Sequence, residues 1–395
     1  MPPLLRTVLV LAAAFSPAGA EPLRVALIAP SAEVAVLAAL GATIEDGGLV
    51  RISTPARADA LLILRGPGAA AAETRTLLAD GRPAVVLGAE PAAWNDAGGF
   101  ITERIGAIRG AAFAGGAPLR VINLFAHPVL TGVEAIESDE AVPVWTKLAE
   151  DAQLIVEGIT GEETTPLAWV RNAGSGRIAH LVPTSPALLT SRDYLRIVTQ
   201  ALLWTARRPI PGARPVVQRT FMPESHPGAF AITFPEGVGV CLDPVRGGVN
   251  FAWDGDFVDL RPRWLTKQGA PARIFGSVFY SERAPRPLRA GAPGANSAWR
   301  FLGHGLRDGT PEFRYDVDGR EITEALRALP DGTGFTRTLS VAAGKSPLWL
   351  TLEEQSNAEV IVEGASRDGN AVAFTSADAG SFRVTVRRRG TALSP

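Results

Sequence analysis

The chain has 395 residues, 39 Lys+Arg against 40 Asp+Glu, and one cysteine, a length that suits two or three compact units. A formal net charge of −1 argues against non-specific nucleic-acid binding, which needs a basic surface to displace counterions. Cys241 alone excludes an internal disulfide, a cysteine-rich zinc site and a Cys-x-x-Cys-His haem attachment, and 46% hydrophobic residues exclude a disordered chain.

Met1–Arg6 is positively charged, Thr7–Phe15 is apolar, and Ala18-Gly19-Ala20 supplies small residues where a signal peptidase reads them. This layout predicts a secretory signal over residues 1–20. The apolar run is too short to span a bilayer, which takes about 20 residues. The expected product is periplasmic or secreted, without a later transmembrane segment. In such an oxidising space a lone cysteine is most simply a buried apolar residue.

Residues 21–206 alternate short apolar runs with helix-like segments. Leu23–Ala29, Ala60–Leu64, Ala84–Leu87, Val121–Leu124 and Ile178–Val182 are strand candidates. Their near-continuous apolar character points to an α/β domain with an open, mostly parallel sheet covered on both faces. Ser31–Leu40 and Ser191–Ala206 read as helices. The second carries Leu195, Val198 and Leu202 on one stripe, with Thr190 and Asp193 as a capping pair. Residues 207–217, with Pro209, Pro211 and Pro215, read as a linker. Beyond it, over 218–395, short strand-like runs extend from Phe230–Phe234 to Phe382–Arg388. Asp318-Gly319, Asp331-Gly332 and Asp368-Gly369-Asn370 punctuate them, and this pattern predicts an all-β antiparallel sandwich.

The chemistry motifs are sparse. No Gly-x-Gly-x-x-Gly follows the first strand, and Arg65-Gly66-Pro67-Gly68 reads as a tight turn whose proline lacks the amide a phosphate cradle would use. The four histidines are scattered, so no local zinc site is expected, and no cofactor is implied. Open α/β sheets bind ligands at the carboxyl ends of their strands. His127 follows the fourth strand candidate, and Glu90 with Trp94 follows the third. His127 as acid/base with Glu90 as partner carboxylate is the enzymatic reading; a satisfied His127-Pro128 turn is the plainer one. His180, inside an apolar run, reads as a core residue.

Phe125-Ala126-His127-Pro128-Val129-Leu130-Thr131-Gly132-Val133 and Asp139-Glu140 resemble the His-Pro…Gly and Asp-Glu stretches of trehalose-utilisation (ThuA-like) proteins. Pro166–Arg171 with Gly174-Ser175-Gly176-Arg177 resembles that family's late strand pair, and Leu202-Leu203-Trp204 its last helix. The resemblance covers roughly residues 23–206. It implies a fold similar to class I glutamine amidotransferases without their catalytic cysteine, and a link to sugar metabolism. It adds Asp139 to the candidate catalytic set, and Glu140 and Trp169 to the candidate substrate-binding set beside Trp94. Two departures reduce the expectation of catalysis. Leu87-Gly88-Ala89-Glu90 stands where relatives carry Gly-Leu-His-Gly, and Leu181-Val182-Pro183-Thr184 where they carry Gly-His.

In the second half, Gly248–Asp259 resembles a module of large secreted bacterial proteins that also carry ThuA-like and c-type cytochrome modules. A c-type cytochrome partner is therefore one expectation. Asp254, Asp256 and Asp259 lack the order of an EF-hand and read better as a polar turn than as calcium ligands. Trp253, Trp264 and Trp299 are aromatic faces for a sugar or for the core. Trp253 and Asp259 join the substrate-binding candidates. Glu312 with Glu324 or His304 is a further carboxylate pairing whose separation the sequence does not set. Three functions stay open: a non-catalytic or degenerate module binding a saccharide or partner, an enzyme on oxidised (keto) glycosides, and an accessory subunit of a periplasmic redox complex.

Overall fold

The computed structural model describes residues 21–88, 101–109, 119–138, 142, 145–160, 163–173, 176–262 and 269–389. The signal expected over 1–20 lies outside them. The chain divides into two compact units, one running to Phe125 and resuming over Val129–Ala213, the other comprising Ala126–Pro128 and everything from Arg214. No helix among the described residues is long and apolar enough to cross a membrane.

The first unit is built on strands β1 (Leu23–Ile28), β2 (Val50–Ser53), β3 (Ala60–Leu64), β4 (Ala84–Leu87), β5 (Ala107–Arg109), β6 (Leu119–Leu124), β7 (Glu137–Ser138), β8 (Trp145–Leu148), β9 (Ala152–Thr160), β10 (Glu163–Ala173) and β11 (Gly176–Leu181). Nine of them form one sheet in the order β2-β1-β3-β4-β11-β10-β9-β6-β7, while β5 pairs with β8. Helix α1 (Val34–Asp46) links β1 to β2, α2 (Ala71–Ala79) links β3 to β4, and α3 (Arg192–Thr205) follows β11. All five residues of β3 are buried, as a strand covered on both faces requires. Against β1, α1 packs closely enough that a Cβ on Gly41 would stand 2.5 Å from the Leu27 side chain.

The expectation of a mostly parallel sheet is corrected. The pairings from β2 to β11 are parallel, and those from β11 to β7 are antiparallel. The antiparallel part is built largely by the long β9–β10 ladder, whose mixed polar and apolar residues give no continuous apolar run. The sheet is mixed. Helix α3 also begins differently from expectation. Ser191 occupies the N-cap without a side-chain bond, and the Thr190 hydroxyl donates to the Pro186 and Ala187 carbonyls instead.

The described part of the second unit is built chiefly of antiparallel strands. Its strands are β12 (Val216–Arg219), β13 (Phe230–Phe234), β14 (Val238–Asp243), β15 (Gly248–Asp254), β16 (Val258–Asp259), β17 (Arg273–Ile274), β18 (Val278–Ser281), β19 (Leu288–Ala290), β20 (Trp299–Arg307), β21 (Thr310–Val317), β22 (Arg320–Ala328), β23 (Gly334–Val341), β24 (Leu348–Thr351), β25 (Ala358–Glu363), β26 (Ser366–Asp368), β27 (Ala371–Phe374) and β28 (Gly380–Arg388). They form a five-stranded sheet (β12-β13-β14-β15-β18), a six-stranded sheet (β20-β21-β22-β23-β28-β25), a four-stranded sheet (β19-β24-β27-β26) and the β16–β17 pair. Phe230, Ile232, Val240 and Leu242 share one core with Tyr315, Leu326, Phe335 and Val384 of the six-stranded sheet. The intervening residues Ala231, Cys241, Phe251 and Trp253 face a second core with Met222 and Val258. Burial on both faces explains the continuous apolar runs of β13 and β14.

Candidate functional site

The parallel strands run in the order β2-β1-β3-β4-β11, so the order reverses between β1 and β3. In open α/β sheets the ligand crevice lies beyond the carboxyl ends of the strands at such a switch point. The chain leaves β1 through Pro30 into a short 3-10 turn, Ser31–Glu33, and leaves β3 through Arg65-Gly66-Pro67-Gly68. Arg65 is held at φ 60°, a left-handed conformation that costs a non-glycine residue about 1–2 kcal/mol. Its amide donates to the Leu87 carbonyl at 2.6 Å, which fixes the turn to the neighbouring strand. Its guanidinium reaches across the switch point, Nη1 donating to Glu33 Oε1 at 2.7 Å. The two side chains keep 37% and 20% of their exposure, so both remain accessible to a ligand. Gly68, at φ 53°, abuts Pro30 so closely that a Cβ would lie 2.8 Å from its Cα. The switch point therefore carries an accessible guanidinium on the strained turn after β3, paired with a carboxylate on the turn after β1. Strain of this kind persists only where surrounding structure imposes it, and it clusters at ligand sites.

Glu90, Trp94, Asp139 and Glu140 lie outside the described residues, so the structure gives no geometry for the His127–Glu90–Asp139 set. His127 groups with the second unit and is buried there. Its Nε2 stands 3.8 Å from Asp256 Oδ1, beyond hydrogen-bond length, and its ring tilts against Phe257 at 5.7 Å. Trp169 is fully buried. Its indole donates to the Ile105 carbonyl at 2.7 Å, and its ring packs against Trp145 and His180. Trp253 is fully buried in the second core. Neither indole offers a face to a sugar; both are packing residues.

Asp259 is bound to Arg261 by two bonds of 2.8 Å and to Arg273 at 2.9 Å. Burial opposes its ionisation, yet Arg261 and then Arg273 hold its carboxyl below the usual range. Asp254 accepts from the Ser277 amide and from Arg388 Nη1 at 2.8 Å. The three aspartates thus turn to different partners, and no group of three or more metal-ligating side chains converges among the described residues. The β21–β22 register places Phe313, not Glu312, opposite Glu324, so alternation sends those two carboxylates to opposite faces of the sheet.

Two titratable groups are held away from chemistry by burial. His180 packs between Trp145 and Trp169, and loss of water lowers its pKa to about 3 against a weak pull from the Val86 backbone. Burial pushes the Cys241 thiol up to about 12, although the Ser225 hydroxyl lies 3.2 Å from its sulfur. Two further features escaped sequence reasoning because each joins distant segments. One is a groove of about 490 Å³ lined by Glu354, Gln355, Ser356, Glu359, Arg367 and Arg389, in which Arg367 pairs with Glu354 at 3.1 Å. The other is a buried cluster of Tyr280, Glu282, Tyr315, Glu324 and Arg337 in the core of the second unit.

No family model matches the chain, and no curated protein does. Among solved structures, a cytoplasmic protein from Salmonella typhimurium aligns at 14% identity over 46% of this chain and 99% of its own, with a TM-score of 0.34. A second, from Salmonella typhimurium LT2, aligns at 10% identity over 46% and 99%, also at 0.34. An exo-β-1,4-mannosidase from Opitutaceae bacterium strain TAV5 aligns at 12% identity over 47% of this chain and 36% of its own, with a TM-score of 0.32. At these scores the likenesses carry no argument about what this chain does.

Proposed function

We propose that this is a secreted ThuA-like protein associated with carbohydrate utilisation, whose α/β unit, of the class I glutamine amidotransferase-like kind, binds a saccharide or a partner protein rather than transforming it. The observation that carries the reading is Arg65, held in a left-handed conformation at the switch point and paired with Glu33. A carboxylate that accepts and a guanidinium that donates suit the vicinal hydroxyls, or a carboxylate, of a sugar. The strand order β2-β1-β3-β4-β11 supports a ligand crevice there. The binding reading also draws on two of the described groups: burial leaves His180 neutral and the Cys241 thiol protonated.

Calorimetric titration with neutral and acidic saccharides tests the proposal. Loss of a charge-assisted hydrogen bond costs about 1.5–3 kcal/mol, so Arg65→Ala is expected to weaken binding roughly 10- to 100-fold. Glu354→Gln, in the groove of the other unit, is expected to leave it unchanged. Saccharide binding that survives Arg65→Ala intact overturns the placement. Turnover of a ketoglycoside that is lost in His127→Ala replaces the binding reading with an enzymatic one.

A further inference from the structure

The core of the second unit holds two carboxylates and one guanidinium. Arg337, on β23, donates from Nε to Glu324 Oε1 of β22 at 2.5 Å and from Nη1 to Glu282, the residue after β18. It therefore joins the six-stranded sheet to the five-stranded one. Tyr280 donates its hydroxyl to Glu282 Oε1 at 2.9 Å, and Tyr315, on β21, donates to Glu324 Oε2 at 3.0 Å. Side chains at this site have essentially no exposure.

With both carboxylates ionised, the cluster would carry one uncompensated negative charge in a core closed to bulk solvent, which is strongly unfavourable. One carboxyl must keep its proton. Both oxygens of Glu324 accept hydrogen bonds, whereas Glu282 Oε2 is buried with no partner. We propose that Glu282 keeps its proton in the folded protein through mildly acidic pH and gives it up near neutrality, and that its ionisation loosens the joint between the two sheets, making the second unit a pH-sensitive element. Burial drives Glu282 upward, Arg337 and Tyr280 pull it back, and Glu324 pushes it up again, to about 7. Arg337 stays charged, and the hydroxyls of Tyr280 and Tyr315 are raised well above their ordinary value and remain donors. The folded protein therefore binds a proton that the unfolded chain, near its ordinary 4.5, releases. Stability from this group is complete below about 4.5 and is lost as pH rises through about 7.

Thermal unfolding of the full chain between about pH 5 and 8, compared with Glu282→Gln, tests this linkage. The amide mimics the protonated acid and cannot ionise. The melting temperature of the second unit in the wild type is expected to fall by about 5 °C relative to the variant as pH rises across that range. A constant difference overturns the proposal. Should Glu282→Gln fail to fold, infrared spectroscopy decides in a Glu236→Gln background, because burial raises Glu236 as well. A protonated-carboxyl carbonyl stretch at pH 6 that disappears by pH 8 supports the proposal; its absence at pH 6 overturns it.

Discussion

Arg65 shows how a functional candidate separates from its sequence context. Arg65-Gly66-Pro67-Gly68 is legible as a turn from its glycines and proline, but the left-handed arginine and its bond to Glu33 are not. That pair joins residues 32 apart and exists only once β1 and β3 lie side by side. The same limit applies to the tryptophans. Trp169 and Trp253 have the chemistry of sugar-stacking residues, and only their complete burial assigns them to packing. His180 was readable because an apolar run surrounded it on both sides. The strain at Arg65 gives a paired prediction. Arg65→Ala and Arg65→Gly both remove the guanidinium and should lose saccharide affinity alike. Glycine adopts φ 60° without steric cost, so Arg65→Gly should be more stable than Arg65→Ala by about 1 kcal/mol in urea unfolding. Equal stabilities would mean that the turn is not strained.

Among the elements, β22 marks the boundary of what periodicity can reveal. Arg-Glu-Ile-Thr-Glu-Ala-Leu-Arg-Ala is rich in helix formers, yet it pairs along its length with β21 and β23. Tertiary pairing overrides propensity here, and the clue was alternation: Ile322, Glu324 and Leu326 are all buried. The buried glutamate in that series obscured the pattern. The turn that enters β22 was legible. Asp318 and Gly319, at φ 50° and 80°, form the two-residue connection between Val317 and Arg320, as expected for an Asp-Gly hairpin turn. Gly319→Val should cost about 1–2 kcal/mol, since a β-branched residue resists that conformation, and thermal unfolding measures it. On the five-stranded sheet, Gly239 lies opposite Trp253, whose ring occupies the space a side chain would need. A Cβ there would stand 2.1 Å from it. Gly239→Ala should destabilise the second unit by about 1–3 kcal/mol, and a neutral result would show that the indole can move aside.

The whole molecule contains separate cores carrying opposite proton linkages. In the first unit, His180 is buried neutral with a pKa near 3, against 6.5 for an exposed imidazole. Its folded value is depressed, so the unfolded state binds the extra proton, and stability is lost as pH falls below 6.5 toward about 3. The full effect is up to about 5 kcal/mol. In the second unit, the raised Glu282 acts in the other direction, removing up to about 3 kcal/mol as pH rises from 4.5 toward about 7. His180 packs against Trp145 and Trp169 of one hydrophobic cluster, Glu282 is bonded to Tyr280 of another, and each cluster is drawn from one unit. Scanning calorimetry of the full chain should therefore show two transitions that move apart or together with pH: the first unit's falling in acid, the second unit's falling toward neutrality. His180→Phe should flatten the acid slope of the first transition alone, and Glu282→Gln the slope of the second alone. A single transition that responds equally to both substitutions would mean that the two cores unfold as one cooperative body.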